Sequence, residues 1–237
     1  MIRTVVFALA LGGTAQAEPC RQALALGLDV SGSVDAREYR LQLEGLAAAF
    51  DNAAVRSALL SSPGAPVSVI VYEWSGPSDQ AVIAPWVSMQ DAATLGGFIE
   101  TLRQTTRRDA SPGTAIGVAV SLGASFLDGK SDCWKRTLDI SGDGKSNLGP
   151  RPRDVKDAMA AKGITVNALV IGADNPSSGD TRQAEIGELS SYFRAEVIAG
   201  QDAFVETALG FDDYEAAMTR KLLRELEVLA VSDLSLD

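Results

Sequence analysis

The sequence has no histidine and only two cysteines in 237 residues. Without histidine, no Ser-His-Asp or Cys-His nucleophile can be assembled, and no imidazole serves as general base or zinc ligand. Two cysteines are too few for a four-cysteine zinc site or a cysteine-held iron–sulfur cluster. Positive charge is also scarce: 21 Lys and Arg stand against 31 Asp and Glu, a formal net charge of −10. A chain this acidic repels phosphate backbones and anionic lipid heads, so no nucleic-acid partner is expected, whereas cations and basic partners suit it. No P-loop, internal repeat or low-complexity linker is found. No stretch beyond the first residues approaches the roughly 18 apolar residues of a bilayer span, so no membrane insertion is expected once the leader is removed.

What is present reads as one globular domain. Apolar residues make up 46%, enough for a sizeable core. Residues 1–17 read as a signal peptide: Arg3 supplies the positive start, Val5–Leu11 the apolar stretch, and Ala15-Gln16-Ala17 the cleavage signal. The expectation is a periplasmic or secreted protein with a single domain over 18–237. Glu18-Pro19 precedes Cys20 where a lipid-anchored cysteine would have to come first, so no lipid anchor is expected. Export permits a disulfide. Cys20 lies just before one predicted strand and Cys133 just before another. A bridge requires those strands to be parallel neighbours; otherwise the two thiols are free.

Along the chain, strands and helices alternate. Strands are predicted at Ala23–Val30, Val67–Trp74, Ala81–Val87, Thr137–Ser141, Ile164–Ile171 and Ala195–Ala199. Pro85 puts the third at an edge, and the tight turn Gly76–Asp79 makes it a hairpin partner of the second. Asp35 and Glu38 form a capping-box pattern ahead of Tyr39, Leu43, Leu46 and Phe50 at helical spacing. Further helices are expected at Asp91–Gln104, Thr114–Leu127, Arg153–Lys162, Thr181–Phe193 and Phe211–Leu229, with a loop at Asp174–Asp180. Several strands are apolar on both faces, which implies a doubly wound, mostly parallel α/β sheet with helices on each side, Rossmann-like in class.

In such sheets ligands bind beyond the C-terminal strand ends. Three polar clusters fall there: Asp29-x-Ser31-x-Ser33 after the first strand, Thr114 at a helix start, and Asp143 after the Thr137–Ser141 strand. All five side chains offer oxygen. Oxygen-only sets suit Mg2+, with Mn2+ or Ca2+ as alternatives. Two carboxylates roughly neutralise one divalent ion, and hydroxyls add no charge, so the metal keeps acidity for one more anionic ligand. The bland alternative is that the serines cap a helix and turn while Asp143 serves a β-turn.

Asp29-Val30-Ser31-Gly32-Ser33, then Thr114, then Asp143-Gly144 resembles the metal-ion-dependent adhesion site of von Willebrand factor A-like domains. The order of elements is similar from about Ala23 to Leu229. More narrowly, Tyr72–Gly76, Asp139–Gly144 and Ile164–Asn167 resemble an exported bacterial subgroup of that family with no assigned function. The resemblance implies Asp29, Ser31, Ser33, Thr114 and Asp143 as metal ligands, directly or through water. It implies a six-stranded sheet of order 3-2-1-4-5-6 with one antiparallel edge, which makes strands one and four neighbours and favours a Cys20–Cys133 bridge. Ser-Gly-Asp-Gly at 141–144 departs from the Thr-Asp-Gly usual in the family. In some relatives the last helix shifts when the metal is engaged; a fixed helix over the sheet is the alternative for Phe211–Leu229.

The function expected is an exported binding module that engages an acidic group on a protein or other ligand through the metal, with no catalysis. The alternative is a Mg2+-dependent hydrolase or phosphoryl-transfer enzyme, using a metal-bound water and Asp29 or Asp143 as base. Arg107, Arg108, Lys145 and Asn147 are candidates for the rim around a ligand. Glu73 and Trp74 read as buried or edge-strand residues rather than a contact surface, and Asp139, inside a strand, as either paired or surface-exposed.

Overall fold

In the first strand, β1 (Cys20–Asp29), every residue is buried. It pairs in parallel with β2 (Val67–Trp74) on one side and β4 (Cys133–Gly142) on the other. The computed structural model describes residues 19–172 and 181–227, with only the backbone described at 181–184. The expected leader at 1–17, the expected loop at 174–180 and the end of the last predicted helix therefore lie outside the described residues. With β3 (Gln80–Ser88), β5 (Ile164–Ile171) and β6 (Val205–Ala208), the sheet order is β3-β2-β1-β4-β5-β6, and only β3 is antiparallel. The expected fold class and strand order are thus observed.

Side-chain alternation sends the residues of β1 into two cores. Leu24, Leu26 and Leu28 pack under α1 (Ala36–Asp51), α2 (Ala53–Leu60), α3 (Ala92–Gln104) and α7 (Tyr214–Leu226). Ala23 and Ala25 face α4 (Ile116–Asp128), α5 (Pro152–Ala161) and α6 (Thr181–Glu196). The Asp35 capping box forms as the pattern predicts, with Glu38 N–H donating to the Asp35 carboxylate and Asp35 N–H to that of Glu38. Cys20 and Cys133 are register partners and are joined by a disulfide, closing a span of 113 residues. No helix among the described residues is long and apolar enough to cross a membrane.

Two segments differ from expectation. Ala53–Leu60 forms a helix that the sequence pattern did not signal. Asn52 ends α1 and at once accepts from Ala54 N–H to cap α2, so no Gly or Pro marks the junction. The last strand is Val205–Ala208, not Ala195–Ala199. Phe193 and Val197 are both buried, so α6 carries its apolar face on to Glu196, and Ala199 makes only an isolated antiparallel bridge to Val166.

Beneath α7 the sheet is polar. Thr137, Asp139 and Ser141 of β4 and Asn167 of β5 are all buried. Lys221, fully buried on α7, lies 2.9 Å from Asp139 Oδ1 and 2.5 Å from Glu225 Oε1. Asn167 Nδ2 donates to Glu225 Oε1 at 2.7 Å, and Lys135 Nζ donates to the Glu225 carbonyl at 2.7 Å. Asp139 is therefore paired rather than exposed. Its carboxyl is nonetheless pushed up to about 7, because burial outweighs the attraction of Lys221 and Glu225 adds repulsion. Burial acts against the Lys221 ammonium, but the two carboxylates more than offset it and hold the lysine cationic, above its ordinary range.

Candidate metal centre

Sheet order reverses between β1 and β4, and the residues singled out in the sequence gather at the C-terminal ends of these strands. Asp29 ends β1 and is fully buried. Its Oδ1 accepts from Ser31 N–H at 2.8 Å, which folds the loop so that Ser31 and Ser33 turn back over the strand end. The two hydroxyl oxygens lie 3.2 Å apart, and Ser33 Oγ donates to Asp143 Oδ1 at 2.7 Å. Asp29 at the end of β1, Ser31 and Ser33 in the loop after it, and Asp143 just beyond β4 are thus joined in one hydrogen-bonded set. Gly32 sits against Pro112: its N–H donates to the Pro112 carbonyl at 3.2 Å, and a Cβ there would lie 2.8 Å from the proline Cβ. This contact brings the loop that leads to Thr114 alongside the serine loop.

Thr114, nearly buried, is placed through its backbone. Its N–H donates to Asn147 Oδ1 at 2.9 Å, and its carbonyl accepts from Asn147 N–H at 2.9 Å. The next residue, Ala115, donates to the carbonyl of Ser75, which follows Trp74, the register partner of Asp29. The loop after β2, the start of α4 and the loop after β4 are therefore tied together around the end of β1.

The electrostatics of the set are those of a site short of positive charge. Burial, then repulsion from Asp143, pushes the Asp29 carboxyl up to about 8, and burial also raises that of Asp143. Asp29 Oδ2 is buried with no hydrogen-bond partner among the described residues. No group of three or more His, Cys, Asp or Glu able to hold a metal is found among the described residues. The candidate set instead has two carboxylates supplemented by hydroxyls, a donor chemistry that fits a hard divalent cation.

The four rim candidates have defined neighbours. Asn147 is turned inward onto Thr114. Lys145 pairs with Glu188 at 2.5 Å and lies over the Tyr192 ring. Arg107 donates to the Asp35 carbonyl at 2.6 Å and lies over Tyr39, at the edge of the serine loop. Arg108 reaches the other way, 3.3 Å from Glu73 and 2.7 Å from Asp79. Glu73 is buried and accepts from Tyr39 O–H at 2.6 Å. Its carboxyl is raised by burial, against the opposing hydrogen bond from Tyr39 and the charge of Arg108. Residues 146–149, Arg151, Tyr192 and Glu196 line a cleft of about 390 Å³ on the α6 side of the Asn147 loop. Sequence reasoning did not single out that cleft, or Lys221 and Glu225, which stand at inward positions of α7 among apolar neighbours.

The fold is that of von Willebrand factor A-like domains. Proximal thread matrix protein 1 from the mussel byssus superposes with a TM-score of 0.60 at 16% identity, over 88% of this chain and 48% of its own. The pilus adhesin SpaC from Lactobacillus rhamnosus GG gives 0.59 at 13% identity, over 89% and 31%. The von Willebrand factor type A protein from Catenulispora acidiphila gives 0.55 at 15%, over 87% and 43%. This chain therefore spans less than half the length of each of these three. One structure of the mussel protein is described as having a zinc-occupied MIDAS motif, with a TM-score of 0.55 at 12% identity, over 88% of this chain and 46% of its own. The chain belongs to the family described as "Protein of unknown function (DUF1194)", whose model matches residues 19–230. No curated protein sequence matches it.

Proposed function

We propose that this protein is an exported binding module, periplasmic or secreted, that holds a divalent cation at Asp29, Ser31, Ser33, Thr114 and Asp143 and uses it to engage a carboxylate on a protein or other ligand. The observation that carries the reading is Asp29: a fully buried carboxylate with one unpartnered oxygen, held by the backbone N–H of Ser31, whose hydroxyl meets that of Ser33, which in turn donates to a second carboxylate, Asp143. A buried carboxylate beside a second, half-buried one is costly without a cation; a divalent ion removes that cost. The zinc in the mussel protein's structure supports a metal at this fold position. Mg2+ suits the all-oxygen set, with Mn2+ and Ca2+ as alternatives. We propose binding without catalysis, because the chain contains no histidine to serve as a base and the two serine hydroxyls are engaged with each other and with Asp143.

Calorimetric titration of Mg2+, Mn2+ and Ca2+ into chelator-treated protein should give saturable one-site binding that Asp29→Ala abolishes. Absence of binding by the unaltered protein would overturn the metal-dependent reading. Metal-stimulated hydrolysis of phosphate esters that Asp29→Ala removes would overturn the non-catalytic one.

The acidity of the site adds a pH prediction. A carboxyl raised in the folded state binds a proton there that it has lost in the unfolded chain. The metal-free protein should therefore lose stability as pH rises from about 4 to about 8. A cation must displace that proton, so it binds better as pH rises. The gain in melting temperature produced by a fixed excess of Mg2+ should grow from about pH 5 to about pH 8. A gain that stays flat or shrinks in scanning calorimetry would contradict the placement of the metal on Asp29.

A further inference from the structure

We infer that Trp74 is the positioning residue for Asp29 when the metal is bound, its indole N–H taking up the carboxylate from the protein interior; the inference rests on the metal site proposed above. Asp29 and Trp74 are register partners on β1 and β2, so their side chains leave the same face of the sheet. Both are fully buried. Asp29 Oδ2 and Trp74 Nε1 are each without a hydrogen-bond partner among the described residues, one an acceptor and the other a donor only.

Both border the same glycine, Gly142. A Cβ on Gly142 would lie 3.4 Å from Asp29 Oδ2 and 3.7 Å from Trp74 Cζ2. Cζ2 is bonded to the ring carbon that carries Nε1, so the donor edge of the indole and the free carboxylate oxygen border the same small gap. Phe193 closes it, with Cζ 3.2 Å from that Cβ position. The glycine in Ser141-Gly142-Asp143-Gly144 therefore leaves room for the indole edge and the carboxylate together.

Carboxylates that ligate metals are held by hydrogen bonds from behind, and these partners fix the ligand's orientation. Here Oδ1 is already fixed by Ser31 N–H. The indole N–H is the buried donor beside Oδ2. Once the indole N–H takes up Oδ2 as well, Asp29 presents one orientation to the cation. Trp74 itself touches neither metal nor partner.

Trp74→Phe keeps a ring and removes the N–H. Its affinity for Mg2+, by calorimetry, should fall by about 10- to 100-fold relative to the unaltered protein. A loss of packing alone would not move a second readout. In 15N-labelled protein the Trp74 indole proton should shift downfield on addition of Mg2+, and this shift should vanish in Asp29→Asn. Trp86→Phe and Trp134→Phe identify the signal among the three tryptophans. Equal affinities for Trp74→Phe and the unaltered protein, or an unmoved Trp74 indole proton in protein that binds Mg2+, would overturn the inference and leave the metal site standing. Unaltered protein that binds no metal would overturn both. If Trp74→Phe does not fold, the indole proton of the unaltered protein decides.

Discussion

Lys221→Met will destabilise the protein by about 3–5 kcal/mol, read as a lower urea midpoint at neutral pH. The lysine is fully buried between Asp139 and Glu225, and the space around it offers no other cation at contact distance among the described pairs. Removing the ammonium while leaving both carboxylates strands negative charge in the core, which costs far more than the ion pairs themselves contribute. Two further results should follow. Adding Asp139→Asn and Glu225→Gln to Lys221→Met should recover most of the loss, because the uncompensated charge is then gone. The deficit of Lys221→Met alone should shrink as pH is lowered from 7 towards 5, since carboxyls raised in the folded state gain stability by taking up protons. A deficit that is independent of pH would mean that packing, not charge, is what the lysine supplies. The same cluster bears on whether α7 moves. A one-turn slide of α7 is about 5.4 Å, enough to part Lys221 from Asp139 and Glu225 from Asn167. We expect amide-exchange protection of α7 to be the same with and without Mg2+.

The Cys20–Cys133 bridge carries the second large effect. It closes a span of 113 residues. In the chain-entropy account a loop of this size stabilises by about 4.7 kcal/mol, by limiting the unfolded ensemble. The bridge also joins register partners at the start of the central parallel pair, so the native sheet already brings the two cysteines together. Cys20→Ser with Cys133→Ser should lower the urea midpoint by an amount equivalent to about 4–5 kcal/mol. A loss below about 1 kcal/mol would show that the unfolded chain is compact enough for the bridge to constrain little.

Much of the site was legible because strand ends are. An apolar run ending in Asp-Val-Ser-Gly-Ser shows where β1 stops and where its oxygens fall. The order of strands is different in kind: alternation indicates a parallel sheet, whereas the neighbour of β1 came with the resemblance. Other elements were hidden because a linear pattern does not show what packs against what. Ala195–Ala199 reads as a short apolar strand because the sequence does not reveal that Phe193 and Val197 share a helical face. Lys221 and Glu225 carry no signal of their own in the sequence, and their burial is seen only once Asp139 is found beneath them. The Trp74–Gly142 contact joins residues of β2 and β4 across β1, a juxtaposition that exists only once register is set.

The position of the bridge relative to the site has a consequence for biosynthesis. Asp29, Ser31, Ser33 and Thr114 all lie between Cys20 and Cys133, whereas Asp143 comes ten residues after Cys133. A chain crossing a membrane N-terminus first exposes four of the five oxygen donors before the second thiol arrives, and the fifth only after it. The thiols can therefore be oxidised while the cation still lacks its last carboxylate. On the proposed reading of an exported metal-binding module, covalent closure comes first in the order of emergence and metal loading last.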